Sequence, residues 1–175
     1  MSQQITLKNF YQKLMFGQDG EKQVAEYLIN IEKRNKVLPL FQFSYGSSSP
    51  FISSIEGEII APDFLILDRG KYSYAESKRK QKWVLYNKNT ARETGLDVKL
   101  WKEYMRLVRS TGAPIELYFL HEIEEPIGLY RIIITEELLQ QAAQDPLFRF
   151  DDILVGGKSV GRLIFFPYEM LEKLY

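Results

Sequence analysis

Apolar residues recur at helical spacing in two stretches of the chain. Between residues 19 and 31 they fall at i, i+4 and i+7, which predicts a helix that begins near Asp19 or Gly20. From Asp97 to Ser110 a second stripe predicts another helix, and Gly112 is expected to end it. The stripe residues are Val24, Ala25, Leu28 and Ile31 in the first helix, and Leu100, Trp101, Tyr104, Leu107 and Val108 in the second.

Shorter runs with strand-like patterns surround these helices. Ile59–Leu67 is almost continuously apolar and predicts a central strand, buried on both faces after an irregular start. Tyr72–Lys80 alternates, so that Glu76 and Lys78 share one face while small residues on the other leave room for a helix. A tight turn at residues 68–71 joins the two runs. Further strands are predicted at Val37–Phe43, Pro114–His121, Leu129–Ile134 and Arg162–Phe166, and loops at Ser44–Ser54 and Asn87–Gly95.

The predicted elements describe one α/β domain with a mixed central sheet. Their order is α-β-β-β-α-β up to residue 121, followed by β-α-β-α in a C-terminal extension over residues 122–175. The helices of the extension are predicted at Glu136–Ala143, opened by Thr135, and after Pro167. Because 175 residues is the length of one domain, residues 1–175 are expected to form a single unit with its core at about residues 17–121.

Composition excludes several kinds of functional site. Hydrophobic residues make up 45% of the chain and charged residues 26%, as in an ordinary soluble globular protein. The chain has no cysteine, which excludes disulfides, iron–sulfur clusters, cysteine-ligated zinc and cysteine nucleophiles. His121 is the single histidine, so a metal site built from several histidines is excluded as well. We expect His121 to be structural.

The sequence gives no reason to expect a membrane or an organic cofactor as a partner. No run approaches 18 consecutive apolar residues, and Met1–Phe10 lacks the basic-then-apolar order of a secretion signal. We therefore expect a cytoplasmic location. Gly156–Ser159 is similar to a P-loop, but Asp152 stands where the first glycine of that motif is required.

Positive charge is concentrated in the middle of a chain whose formal net charge is zero. Residues 69–109 contain twelve Lys and Arg against four Asp and Glu, whereas residues 121–175 contain five against ten. This asymmetry predicts a face for a polyanion such as DNA, with a solvated, salt-bridged surface as the alternative. The candidate nucleic-acid contacts are Arg79, Lys80 and Lys82 after the alternating strand, and Lys99, Lys102, Arg106 and Arg109 along the second helix.

Acidic residues of two predicted neighbouring strands are expected to meet. Asp63 lies in an apolar run, where a carboxylate costs roughly several kcal/mol unless it is paired or binds a cation. If the turn closes a hairpin, opposed positions have numbers that add to about 139, which places Glu76 beside Asp63. Lys78 projects from the same face as Glu76. The structural alternatives are Asp63 as the cap of a bulge and Glu76 with Lys78 as an exposed pair.

Glu21 is a third candidate acid, because it lies three, four and seven positions before apolar residues of the first helix. It either reaches a site at the sheet or is an acid favoured by the helix macrodipole. Oxygen ligands without nitrogen or sulfur select Mg²⁺ or Mn²⁺ over zinc. Such an ion polarises a phosphoryl oxygen and lowers the pKa of bound water, and Lys78 beside it can orient the water or stabilise the transition state.

The spacing of these residues resembles the motif of the PD-(D/E)XK nuclease superfamily. Pro62-Asp63, twelve residues and then Glu76-Ser77-Lys78 are similar to the pattern that names the family. Residues 17–28 (GQDGEKQVAEYL) resemble the first helix of Holliday-junction-resolvase-like members, in which a glutamate after a small residue assists metal binding. The likeness covers about residues 17–121 and leaves the extension outside.

The resemblance implies a restriction-endonuclease-like fold and a Mg²⁺-dependent DNA endonuclease that uses a metal-activated water, with Mn²⁺ as a substitute ion. Asp63 and Glu76 would bind the metal, Glu21 would support it, and Lys78 would act on the water or the transition state. The basic residues would contact phosphates without reading sequence. Lys99 stands where many relatives have a glutamine, so it is given no catalytic role. A nucleic-acid-binding module without turnover and a structural protein with solvated charges remain alternatives, and a homodimer is left open.

Overall fold

The computed structural model describes residues 18–40, 51–54, 57–86, 91–144, 148–155 and 158–175. These ranges form a mixed α/β fold made mostly of strands, with three α-helices. The first helix, α1, covers residues 18–30 in the described part, as its apolar spacing predicts. Within the same ranges, no helix has the length and apolar character needed to cross a membrane.

Twelve strands and two further helices follow α1 in the described ranges. In chain order they are β1 (Lys36–Pro39), β2 (Phe51–Ser54), β3 (Gly57–Ile60), β4 (Phe64–Asp68), β5 (Lys71–Lys80), β6 (Val84–Tyr86), β7 (Ala91–Asp97), α2 (Val98–Thr111), β8 (Ile115–His121), β9 (Gly128–Ile134), α3 (Glu136–Gln144), β10 (Arg149–Val155), β11 (Lys158–Pro167) and β12 (Glu172–Lys173). Six strands form the main sheet in the order β1-β4-β5-β8-β9-β12, and four form a second sheet in the order β10-β11-β7-β6. Strands β2 and β3 pair as a separate hairpin.

A hairpin at the centre of the main sheet sets the register of the candidate site. Strands β4 and β5 pair antiparallel with Phe64 opposite Ala75, which confirms the register predicted from the turn. Gly70 has a φ of 77° in that turn, a value that glycine adopts without steric cost. Strand β8 joins the other edge of β5 in parallel, and α2 lies in the crossover connection that a parallel pair requires.

Two hydrophobic clusters cover opposite faces of the main sheet. Helix α1 packs on one face, where its residues Val24 and Leu28 join Ala75 of β5. Helix α2 and the second sheet cover the other face, where Trp101 joins Tyr74. Alternation along β5 therefore turns its even-numbered residues toward α2 and its odd-numbered residues toward α1. Glu76 and Lys78 belong to the side of the sheet that faces α2.

The odd-numbered face of β5 carries small residues, and α1 lies close against it, as the sequence predicts. A Cβ added at Gly20 would lie 3.0 Å from the Cβ of Arg79 and 3.6 Å from the Ser77 hydroxyl oxygen. The absence of a side chain at Gly20 therefore allows this approach. It also brings the next residue of the helix, Glu21, near the sheet.

Helices α2 and α3 begin at Asp97 and Thr135, where the sequence predicts, and the structure shows both residues as N-terminal caps. The Asp97 side chain accepts a hydrogen bond of 2.7 Å from the backbone amide of Lys99, and the Thr135 hydroxyl accepts one of 3.2 Å from the amide of Leu138. Gly112 ends α2 with a φ of 67°, the left-handed conformation that is typical of a C-terminal cap. These boundaries fix where the basic side of α2 begins and ends.

The prediction of a final helix is wrong. After Pro167 the chain makes only a short 3₁₀ turn, Tyr168–Met170, and then pairs as β12 with β9. The pairing is supported by an ion pair of 2.7 Å between Arg131 and Glu172. The extension is therefore β9-α3-β10-β11-β12 rather than β-α-β-α. Pairing with the main sheet stabilises a strand at the end of the chain, although the local pattern favours a helix.

Two expected loops and one expected strand also need correction. Residues 51–54 of the first loop form β2, and residues 91–95 of the second belong to β7. The sequence of β7 is polar, and for that reason a loop is predicted there. The strand can bury Glu93 because its carboxylate forms an ion pair of 2.6 Å with Arg149. The run Ile59–Leu67 is two strands with a break at residues 61–63, which leaves Asp63 just before β4. Residues 44–50, 87–90 and 41–43 of the predicted elements lie outside the described ranges.

His121 is a buried residue at the end of β8, as expected of a structural histidine. Its ring stacks on the Trp83 ring with 3.7 Å between centroids, and its Nε2 lies 3.3 Å from the Thr94 hydroxyl oxygen. Burial, together with the positive charge of Lys80, lowers the pKa of His121 to about 4. The imidazole is therefore neutral at physiological pH.

Acidification is expected to destabilise the fold through His121. Because the pKa of His121 is lower in the fold than its usual 6.5, the unfolded chain binds the proton first, and stability present above pH 6.5 is lost as the pH falls toward 4. The loss is about 3 kcal/mol at most. Urea denaturation between neutral pH and the acid end of this window measures it. The His121→Phe variant, which keeps a ring on Trp83, should lose less stability, and an equal loss in both proteins would contradict this account.

Candidate functional site

The backbone brings Asp63 and Glu76 together at the start of the β4–β5 hairpin. The amide of Asp63 donates to Oε2 of Glu76 at 3.2 Å, and the amide of Ser77 donates to Oδ2 of Asp63 at 2.7 Å. Each carboxylate is therefore held by the backbone of the opposite strand. The expected proximity of positions 63 and 76 is thus present, and it follows from the hairpin register.

Lys78 lies beside Glu76 on the same face of β5. Its ammonium donates a hydrogen bond to Oε1 of Glu76. The Glu76 side chain is 3% exposed and that of Lys78 is 31% exposed, so the acid is enclosed while the lysine side chain is partly exposed. Burial lowers the pKa of Lys78, but the charges of Glu76 and Asp63 outweigh that effect and raise its pKa above the usual value. Lys78 is therefore a positive charge at neutral pH.

Asp63 is destabilised as a carboxylate. Burial and the neighbouring charge of Glu76 raise the pKa of Asp63 to about 8, although Lys78 and the Ser77 amide act in the opposite direction. Two acids that share one place and repel each other in this way are typical of functional sites. A positive charge added at this place would favour the ionised form of Asp63.

Glu21 lies close enough to Asp63, Glu76 and Lys78 to interact with them electrostatically. Burial raises the pKa of Glu21, Lys78 lowers it, and Glu76 raises it further. Glu21 in turn contributes to raising the pKa of Asp63. However, no group of three or more acidic or histidine side chains in the described ranges is arranged to hold a metal ion. The role of Glu21 as a third metal ligand therefore stays a prediction.

The donor chemistry of the pair suits a hard divalent cation. Asp63 and Glu76 offer carboxylate oxygens only, which Mg²⁺ and Mn²⁺ accept and which zinc sites seldom use alone. The repulsion that raises the pKa of Asp63 is the kind that a bound cation removes. The residues that would hold such an ion are Asp63 and Glu76, with Glu21 close by.

Tyr104 is a member of the site that sequence analysis missed. This residue of α2 is 2% exposed, and its hydroxyl is hydrogen-bonded to Glu76. Burial and the charge of Glu76 raise the pKa of Tyr104, so the phenol stays protonated and can act as the donor. A signal was available, because a tyrosine on a buried stripe needs a partner for its hydroxyl. The sequence did not reveal which partner.

Replacing Tyr104 with phenylalanine is expected to loosen Glu76 without disturbing the core. The variant keeps the ring but removes a hydrogen bond to a buried charge, which should lower the free energy of unfolding by about 2 kcal/mol. Because Glu76 is then less well oriented, any cation-dependent activity should fall about tenfold, the equivalent of about 1.4 kcal/mol. Urea denaturation and initial-rate measurements on Tyr104→Phe test both effects. Unchanged values in both would remove Tyr104 from the site.

The candidate phosphate contacts differ in solvent exposure and in the partners of their side chains. Arg79 forms ion pairs with Glu122 and, at 3.4 Å, with Asp19, so it helps to hold α1 on β5. Lys80 turns inward, and its ammonium donates to the backbone carbonyl of Gly95. Neither residue belongs to the outer surface that the sequence predicted for it. The exposed members of the set are Lys82, Lys99, Lys102 and Arg109, while Arg106 is partly buried and pairs with Glu103 at 3.2 Å.

The family resemblance of the chain depends on a few residues and on the order of the elements that carry them. Asp63 precedes β4, Glu76 and Lys78 lie on β5, and Glu21 lies on α1. Comparison of the chain with protein-family models, with curated proteins and with solved structures finds no match.

Proposed function

We propose that this chain is a Mg²⁺-dependent DNA endonuclease of the PD-(D/E)XK kind. The single observation that carries the proposal is the pair of enclosed carboxylates, Asp63 and Glu76, joined across a hairpin with the ammonium of Lys78 at their side. A buried acid with a raised pKa, Asp63, beside a second carboxylate and a partly exposed lysine is a functional arrangement rather than an efficient structural one, because the like charges cost stability.

The order of elements supports the same proposal. Helix α1 and strands β1, β4 and β5 are followed by α2 and β8, which is the α-β-β-β-α-β order that the resemblance implies. The β2–β3 hairpin and the β6 and β7 strands are then insertions into this order. We propose that this part of the main sheet is a restriction-endonuclease-like core.

The residues of the site have separate roles in this proposal. Asp63 and Glu76 bind the cation, and Tyr104 orients Glu76 through its hydroxyl. Bound Mg²⁺ supplies Lewis-acid polarisation of the phosphodiester and a lower pKa for water. Lys78 stays protonated, so it orients the attacking water or stabilises negative charge on the phosphoryl oxygens rather than removing a proton. Glu21 supports the cation from α1.

The nucleic-acid surface of the proposal is the exposed side of α2. Lys99, Lys102 and Arg109 are exposed there, and Tyr104 of the same helix reaches the site on its buried side. Phosphate contacts from such residues give affinity without sequence readout and weaken as salt rises. DNA is therefore expected to bind in a strongly salt-dependent way.

A cleavage screen tests the proposed function. Branched, single-stranded and duplex DNA are incubated with the protein in Mg²⁺, in Mn²⁺ and in a chelator. At least one DNA form should be cut with either cation and none with the chelator. Lys71→Met serves as a control, because Lys71 is exposed at the opposite end of β5 and should leave cleavage unchanged. Absence of cleavage in every DNA form and both cations would rule out the endonuclease.

A second candidate is a nucleic-acid-binding module without turnover. It is favoured by one observation: the ammonium of Lys78 already neutralises Glu76, and the described ranges contain no ready three-carboxylate group. This function predicts salt-dependent DNA binding that is unaffected by divalent cations. The same screen, run with a binding measurement, distinguishes it from the nuclease.

A further inference from the structure

Lys80 extends the row formed by Glu76 and Lys78 along one face of β5. It lies two residues beyond Lys78, a rise of about 6.6 Å along a strand, and projects from the same side. Its ammonium donates to the carbonyl of Gly95 on β7 and lies 5.7 Å from the centroid of the Phe119 ring. It is therefore directed into the space between the main and second sheets, rather than outward like Lys82.

The charge of Lys80 has no acidic partner in the part of the chain that the structure describes. Lys78, its neighbour on the strand, is paired with Glu76, whereas the ammonium of Lys80 contacts the neutral Gly95 carbonyl and the Phe119 ring. Burial and the positive charge of Lys78 lower the pKa of Lys80 to about 8, so it is still mostly protonated at neutral pH. An enclosed ammonium beside a second ammonium costs stability.

A purely structural role does not account for this cation. A methionine would fill the same space beside Phe119 without the cost of the charge, and exposed lysines elsewhere carry their charge in water. Lys80 keeps this costly charge on the same face of β5 as the candidate active site. Such a charge is expected where a negatively charged ligand binds the ammonium and balances it. The Lys78 side chain is 31% exposed and Lys80 is only partly buried, so the row is not sealed from solvent.

We infer that Lys80 binds a phosphate of the nucleic-acid backbone next to the phosphate that is cut. The inference rests on the proposed function and deepens it, because it directs the cleaved strand along β5 from Glu76 toward Lys80. Lys78 then meets the phosphate at the reacting position and Lys80 meets its neighbour. Lys80 is a substrate-positioning residue in this arrangement, and no bond is made or broken at its amine.

The experiment compares Lys80→Met and Lys80→Arg with the parent protein and with the exposed control Lys71→Met. Thermal unfolding is recorded at neutral pH without divalent cations, first without phosphate and then with inorganic phosphate. Lys80→Met should unfold at a higher temperature than the parent without phosphate, and it should lose at least half of the upward shift that phosphate produces. Lys80→Arg should keep most of that shift, because it keeps the charge.

A second arm uses a single-stranded oligonucleotide without divalent cations. Lys80→Met should weaken its binding at least fivefold, while Lys71→Met should bind as the parent does. A Lys80→Met variant that unfolds at a lower temperature than the parent, or that keeps the full phosphate shift and oligonucleotide affinity, would overturn the inference. If Lys80→Met fails to fold, the charge is structural and the inference is equally wrong.

The two proposals fail in different ways. If no DNA form is cut by the parent protein, the nuclease is wrong, but a phosphate shift that depends on Lys80 still identifies the anion site. If the parent cuts DNA and Lys80→Met cuts it with unchanged affinity and rate, the nuclease stands and the anion site does not exist.

Discussion

Replacing Asp63 with asparagine is expected to abolish cation-dependent cleavage and, at the same time, to make the fold more stable. The loss of activity should reach about a thousandfold or more, because one of two carboxylate ligands disappears. The fold gains because asparagine keeps an oxygen for the Ser77 amide and cannot ionise beside Glu76. Urea denaturation and cleavage assays on the same preparations measure both effects.

The gain in stability from Asp63→Asn should depend on pH. The pKa of Asp63 is raised in the fold from 3.8 to about 8, so the folded chain holds this proton more tightly than the unfolded chain. The contribution of the Asp63 proton to the free energy of unfolding is fully present below pH 3.8 and is lost as the pH rises through 8. The variant has no such loss, so its advantage should grow across that window to the order of a few kcal/mol. A constant difference in stability from acid to alkaline pH would contradict the raised pKa.

Replacing Lys78 with methionine is expected to impair both activity and stability. Cleavage should fall by about a hundredfold to ten thousandfold, the usual contribution of a group that assists at the reacting centre. The free energy of unfolding should fall by about 3–5 kcal/mol, because Glu76 is left enclosed beside Asp63 without a positive partner. Chemical denaturation with and without Mg²⁺ and single-turnover cleavage measure these losses.

Divalent cations should restore part of the stability that Lys78→Met loses, because they supply the missing positive charge between the carboxylates. The exposed control Lys71→Met should show neither the loss nor the restoration. If Lys78→Met is as stable as the parent protein, the ammonium does not balance Glu76 and this description of the site is wrong.

The centre of the fold follows directly from local sequence signals. A tight turn at residues 68–71 and strict alternation in β5 determine the hairpin register, and that register places Glu76 beside Asp63. The helix boundaries at Asp97, Thr135 and Gly112 depend on short-range hydrogen bonds and on one positive φ, so the sequence predicts these boundaries as well. Both kinds of feature are determined within a few residues.

The features that sequence analysis missed depend on distant contacts. The polar strand β7 is stabilised by pairing of Glu93 with Arg149, which lies 56 positions away along the chain. The last residues form β12 rather than a helix because they pair with β9. The inward position of Lys80 depends on the carbonyl of Gly95 in another sheet. These long-range contacts leave no signal in the local sequence. The prediction of a surface position for Lys80 therefore came from charge patterning only.

The most direct test of the central claim, that Asp63 and Glu76 share one divalent cation, is a Mn²⁺ titration followed by electron paramagnetic resonance. The measurement compares the parent protein with Asp63→Asn, Glu76→Gln and the control Lys71→Met. We predict one Mn²⁺ site per chain in the parent and in Lys71→Met, and its loss in both site variants. Equal Mn²⁺ binding in all four proteins, or no binding in the parent, would contradict the account.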